Sequence, residues 1–182
     1  MEGQGRNMAD YNQYTRWENQ MHKAKLPRWD DLPKFDLYMD QVTALINDIL
    51  GPLGIDTITP AMINNYVKHH VILAPVKKKY QTMQLTDILM ISLLKPMFQT
   101  DTVRSGIDQI TAGDYPKQAY DNFIGQLEDR LHHLGEEQVQ PAAKDLNEKL
   151  MQVAVDAVVA RLQSEKLLHL IKRPLRKIEK SK

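Results

Sequence analysis

Ile58-Thr59-Pro60-Ala61-Met62-Ile63-Asn64-Asn65-Tyr66-Val67-Lys68-His69 reads as a short helix with two unlike faces. Thr59 is a good N-cap, because its hydroxyl can accept from a first-turn amide. Pro60 suits the first helical position, where the N–H it lacks would have no partner anyway. Ile63, Tyr66, Val67 and Val71 fall on one side. Ala61, Asn64, Asn65 and Lys68 follow one another at i, i+3, i+4 and i+7 and share the opposite stripe, which is polar and free of carboxylates. Asparagine can pair with adenine in a major groove, and the open N–H groups of a helix N-terminus suit a phosphate.

On the C-terminal side, Val71 to Ala74 reads as a short strand or extended stretch, and Pro75 to Gln81 as a wing tipped by Lys77, Lys78 and Lys79 and followed by Tyr80. Lysine at such a tip grips phosphate without reading sequence. From Thr57 to Thr86 there are four lysines and no Asp or Glu, and Lys166 to Lys182 holds seven basic residues against one acidic. The whole chain, with 24 Lys+Arg and 23 Asp+Glu, is nearly neutral. Two basic islands therefore lie on an acidic body, an arrangement that would orient the protein on a polyanion.

On the N-terminal side, Asp36 is a predicted N-cap for a helix with Tyr38, Val42, Leu45, Ile46 and Ile49 inward, ending at Gly51-Pro52. Leu26-Pro27-Arg28-Trp29 and Leu32-Pro33 predict an extended lead-in whose Trp29 and Leu32 cap the core. Residues 1–25, Asn/Gln/Gly-rich and without apolar period, predict a disordered or weakly ordered arm. After the wing comes a helix over Met83 to Phe98, stopped by Pro96, and a short one capped by Thr100 or Asp101.

The last third predicts two helices. Pro116 to about Leu134 places Ala119, Phe123, Leu127 and Leu131 on one side. After Pro141, residues 143, 146, 150, 153, 157, 160, 164, 167 and 171 alternate three and four apart, a heptad seam able to pair within the chain or between two copies. Val155, Val158 and Val159 widen that stripe, which argues for at least three packed helices. Pro174 ends the helix and leaves a basic tail.

The chain is long enough, at 182 residues, to bury a core without staples, and it contains no cysteine. Disulfides, thiolate nucleophiles and thiolate metal sites are thus excluded. The pairs His69-His70 and His132-His133 are adjacent, and neighbouring helical side chains diverge by about 100°, so neither makes a natural chelate. No Gly-rich phosphate loop or nucleophile elbow occurs, no apolar run would span a bilayer, and no signal peptide is evident. These features predict a cytoplasmic protein that is not an enzyme and has no metal, cofactor or membrane contact.

Ile58 to Lys68, Val71-Ile72, Pro75 and Lys77 to Tyr80, followed by an apolar helix, resemble the winged helix-turn-helix of the MerR regulators. Together with Asp36-Leu37-Tyr38-Met39-Asp40-Gln41-Val42 they look like a bacterial family catalogued as domain of unknown function 1836, over about residues 26–110. The chain departs from MerR proteins in carrying Asn64 and Gln81 where arginines are usual, Asn65 in place of a first tyrosine, and His70 in place of a glycine. The resemblance implies a mainly α fold: a winged helix-turn-helix domain over 26–112, then a C-terminal helical region over 113–182 with a long helix, serving dimerisation or an effector. It further implies a DNA-binding transcriptional regulator, a likeness under which double-stranded DNA is the partner and the protein a homodimer. Its recognition helix is residues 60–69 and its wing 75–81, with Thr59, Ala61, Asn64, Asn65, Tyr66, Lys68, Lys77, Lys78, Lys79 and Tyr80 as the DNA-contacting set. The alternative is a protein-interaction adaptor that keeps the winged fold and uses the C-terminal helices, with or without a pocket for a small effector.

Overall fold

A computed structural model of the chain describes residues 2–113, 115–137 and 141–171. Among them are seven α-helices and one two-stranded sheet. The helix α3, Pro60–Lys68, begins as expected, with the Thr59 hydroxyl accepting from the Met62 amide at 3.3 Å. It closes through a left-handed residue, His70 at φ 55°. The amides of His70 and Val71 donate back to the carbonyls of Val67 and Tyr66 at 3.1 and 2.8 Å, satisfying carbonyls the helix end would leave open. A side chain at that φ is strained, whereas glycine is not. Replacing His70 with glycine is expected to raise the unfolding free energy by about 0.5–1 kcal/mol, net of glycine's larger unfolded-state entropy. Urea denaturation would show it as a higher midpoint at unchanged slope.

The helix α2, Met39–Leu50, precedes α3 and buries Val42, Ile46 and Leu50. Its cap is Tyr38, not Asp36. The Tyr38 amide donates to the Gln41 side chain at 2.9 Å, and Leu37–Tyr38 form a strand, β1, whose extended backbone leaves Asp36 outside the helix. Between α2 and α3 the Asn47 amide side chain acts as a piece of backbone. It accepts from the Ile58 N–H at 2.8 Å and donates to the Ile58 carbonyl at 3.0 Å, fixing where α3 starts relative to α2.

β1 pairs antiparallel with β2, Lys79–Tyr80, in the register Leu37 to Tyr80 and Tyr38 to Lys79. Of the strand or extended stretch expected over Val71–Ala74, the strand is not formed. Val71 and Ile72 turn their side chains into the core instead, because the left-handed His70 redirects the chain there. The turn comes later: Val76 and Lys79 exchange amide-to-carbonyl hydrogen bonds of 3.1 and 2.9 Å around Lys77-Lys78. Three more helices follow in close succession: α4, Thr82–Leu94; α5, Thr100–Thr111; and α6, Pro116–His132. α4 is stopped just before Pro96, while the caps of α4 and α5 are Gln81 and Gln99.

The arm expected to be disordered or weakly ordered is a helix, α1, Glu2–Met21. Its own pattern is weak, but Trp17 and Met21 are buried and His22 reaches the Leu134 carbonyl at 2.9 Å, so its order comes from tertiary packing. The lead-in is also tied to α6: Leu26 N–H and the Arg28 guanidinium both donate to Glu128, at 3.1 and 2.7 Å, and Trp29 N–H donates to Asp121 at 2.7 Å. The long helix α7, Leu146–Ile171, packs against α6, α1 and α4. One cluster of buried side chains, running from Trp17 through Ile46, Ile88 and Leu127 to Leu162, joins residues on both sides of position 112.

The inward face of α7 is Met151, Gln152, Val155, Val158, Val159 and Leu162. The heptad seam lies on its other side, with Leu146, Val153 and Leu167 at 87, 51 and 42 % exposure. The widening valines are therefore the core stripe, and the seam is surface. The basic tail, 172–182, and the helix stop at Pro174 lie outside the described residues. No helix among the described residues is long and apolar enough to cross a membrane.

Candidate nucleic-acid interface

Two exposed pieces of chain carry the predicted residues, the outer face of α3 and the turn at Lys77-Lys78. Ala61, Asn64, Asn65 and Lys68 are all exposed, and they lie opposite the buried Ile63 and Tyr66. No carboxylate stands in the first turn of α3, so the helix dipole there meets no anion of its own element, while the Met62 and Ile63 amides are already bonded to Thr59. Thr59 is exposed but occupied as the cap.

Tyr66 and Tyr80 do not belong to this surface. They are 1 and 2 % exposed, and each fills core volume: Tyr66 beneath α3, Tyr80 at the end of the sheet against Leu37. Tyrosine carries both an apolar ring and a polar tip, so its position in the pattern could not show which use the fold makes of it. Burial also raises the Tyr80 hydroxyl's pKa above the usual tyrosine value.

The turn is a two-residue hairpin connection in which both central residues have positive φ, 49° at Lys77 and 64° at Lys78. This is the geometry that Asn-Gly or Gly-Gly adopts with least strain. Lys77 and Lys78 are exposed, and Lys79 is half-buried with its ammonium 5.2 Å from the centre of the Tyr38 ring. The lysine triplet thus splits into two outward charges and one laid over an aromatic face.

Two side chains hold the turn in place. The amide of Gln84, buried in the first turn of α4, donates to the carbonyls of Leu73 and Ala74 at 3.0 Å each, and its oxygen accepts from the Gln81 N–H at 2.7 Å. Arg104 of α5 donates to the Val71 carbonyl at 3.3 Å and to Asp87 at 3.0 Å, and it pairs with Asp108. Burial holds the Asp87 carboxyl above its ordinary range, with Arg104 pulling it back down. The segment from the end of α3 to the turn is therefore clamped by α4 and α5.

Lys95 was not among the predicted residues. It caps α4 and sets its ammonium 5.2 Å from the Tyr66 ring centre, in a surface hollow shared with Asn65, His69 and Asp101. Its signal in sequence is only a lysine before a proline, and its neighbourhood with α3 is purely tertiary. Among the described residues no group of three or more His, Asp or Glu could hold a metal ion.

Residues 27–123, just over half of the chain, match the family described as Domain of unknown function (DUF1836). No curated protein and no solved structure matches the chain.

Proposed function

We propose that this chain, which belongs to the Domain of unknown function (DUF1836) family through residues 27–123, is a DNA-binding transcriptional regulator with a MerR-like winged helix-turn-helix. In this reading α2 and α3 are the two helices of the motif. The exposed stripe Ala61, Asn64, Asn65 and Lys68 enters the major groove, Lys95 stands beside it, and the Lys77-Lys78 turn is the wing tip on flanking phosphates. A cytoplasmic location goes with this reading.

The observation that carries it is the pair of positive φ angles at Lys77 and Lys78. A non-glycine residue in the left-handed region costs roughly 1–2 kcal/mol, and a hairpin of this type has the cheaper solution Asn-Gly. Two lysines held there against strain point to a use for their charge, since strain of this kind clusters where function requires it. The test is duplex binding titrated against salt, with wild type beside the double variant Lys77→Asn, Lys78→Gly.

The outer stripe of α7 supports a homodimer as part of the same reading. Leu146, Leu150, Val153, Ala157, Ala160 and Ser164 hold strict heptad spacing with no charge among them, and the small central residues permit close backbone approach by an identical helix. An adaptor is the second reading, and the same stripe favours it. There a foreign amphipathic helix takes the place of the second copy.

A further inference from the structure

Behind the segment that joins α3 to the Lys77-Lys78 turn lies a half-open cavity of about 460 Å³, walled by α4, α5, α6 and α7. Its size falls within the range of small-molecule sites, roughly 300–1,000 Å³. Its lining is mainly apolar and includes Met90, Phe98, Val103, Ile107, Phe123 and Met151. Three hydroxyls on the wall are already engaged within the protein. Thr86 donates to the Met83 carbonyl at 2.8 Å, Thr111 to that of Ile107 at 2.8 Å, and Tyr120 to that of Pro27 at 2.9 Å. The one cluster of charges, Arg104 with Asp87 and Asp108, has two carboxylates for one guanidinium.

We propose that this cavity binds a small, uncharged, apolar molecule and that its occupant acts on the α3-to-turn segment. An anion would meet two carboxylates against one guanidinium in an otherwise largely apolar lining, and burying it there unpaired is costly. An apolar body gains from burial against methionine and aromatic side chains that adjust to its shape. His70, Val71, Ile72 and Leu73 also line the cavity, so an occupant touches the residues that Arg104 and Gln84 clamp. Whatever shifts these four residues shifts the relation of α3 to the turn. The binding site stands by itself, whereas the action on DNA rests on the function proposed above. Linkage requires that a duplex change the small molecule's affinity by the same factor as the reverse.

Gly106 gives the test. It lies on α5 in the inward row with Val103, Ile107 and Ile110, lines the cavity, and a Cβ added there would meet nothing within 4 Å. Gly106→Phe is expected to fill the space without disturbing the helix. Gly106→Leu serves as a smaller filler if the phenylalanine variant lacks a cooperative melt.

Two probes that share a ring framework would be titrated by fluorescence: N-phenyl-1-naphthylamine, which is uncharged, and 8-anilino-1-naphthalenesulfonate, which is anionic. Wild type is expected to bind the neutral probe saturably, one per chain, and the sulfonate at least about tenfold more weakly. The filled variant is expected to lose the neutral probe while melting no lower than wild type. Equal binding of the two probes, or unchanged binding by a folded Gly106→Phe or Gly106→Leu protein, would overturn the site. Duplex affinity would then be measured with and without the neutral probe. A change supports the coupling, and no change in a chain that binds both ligands overturns the coupling while leaving the site. A chain that binds the probe but no duplex sinks the DNA reading and with it the coupling.

Discussion

Gln84→Glu is expected to lower the unfolding free energy by about 3 kcal/mol at neutral pH, and acidification is expected to return part of the loss. Gln84 is 5 % exposed and makes three hydrogen bonds to backbone, two as donor to Leu73 and Ala74 and one as acceptor from Gln81. A glutamate would keep the acceptor but face two carbonyl oxygens with a carboxylate, and buried unpaired charge is worth more than a lost neutral hydrogen bond. Its folded pKa would stand above the unfolded value, so the native state binds the extra proton and stability rises as pH falls through that window. Urea denaturation across a pH series reads both effects. A loss under 1 kcal/mol, or a loss indifferent to pH, would mean that the amide does not clamp the chain. Because that clamp aims the Lys77-Lys78 turn, duplex affinity is expected to fall even under conditions where the variant remains folded.

The second large effect is on association. Val153→Glu combined with Ala160→Glu puts two carboxylates per chain on the outer stripe of α7, each in a residue exposed in the single chain. Glutamate is a good helix former, and substitutions at such surface sites usually move stability by no more than about 0.5 kcal/mol. Across a two-fold seam the same changes bring like charges together in a desolvated layer, which costs several kcal/mol. Wild type is expected to sediment at twice the 21.0 kDa chain mass and the variant at the chain mass, with an unchanged melt. A monomeric wild type would remove the homodimer and leave the stripe to a foreign helix.

Features set by local covalent rules were legible in the sequence. Thr59-Pro60 and Pro116 mark the starts of α3 and α6, because a cap hydroxyl and a locked φ act on their own turn. The mainly helical class followed from the same signals. Features that depend on distant partners were not legible. α1 is ordered by what Trp17 and Met21 pack against, and the β1–β2 pairing joins two residues to two others more than 40 positions away. α7 carries two apolar stripes, and only the presence of α1, α4 and α6 decides that Val155, Val158 and Val159 turn inward.

The proposed surface divides in the same way. Spacing alone gave the exposed stripe Ala61, Asn64, Asn65 and Lys68, since helical period fixes which residues oppose Ile63. Tyr66 and Tyr80 went to the core, and Lys79 lies over Tyr38, because aromatic rings serve either environment. Lys95, the clamps at Gln84 and Arg104, and the cavity between α4 and α7 are assembled from segments with no common signal in the chain.

The central claim is that the strained Lys77-Lys78 turn is kept for its charge, and the salt dependence of duplex binding tests it most directly. Exchanging the two residues for Asn-Gly relieves both left-handed positions, so the variant is expected to be more stable than wild type and cannot lose binding by unfolding. Each lost phosphate contact flattens the plot of log K against log salt by about 0.9, giving a slope shallower by about two per chain together with weaker binding. A more stable variant that binds duplex DNA with the wild-type slope and affinity would contradict the account, as would a wild-type chain that binds no duplex at low salt.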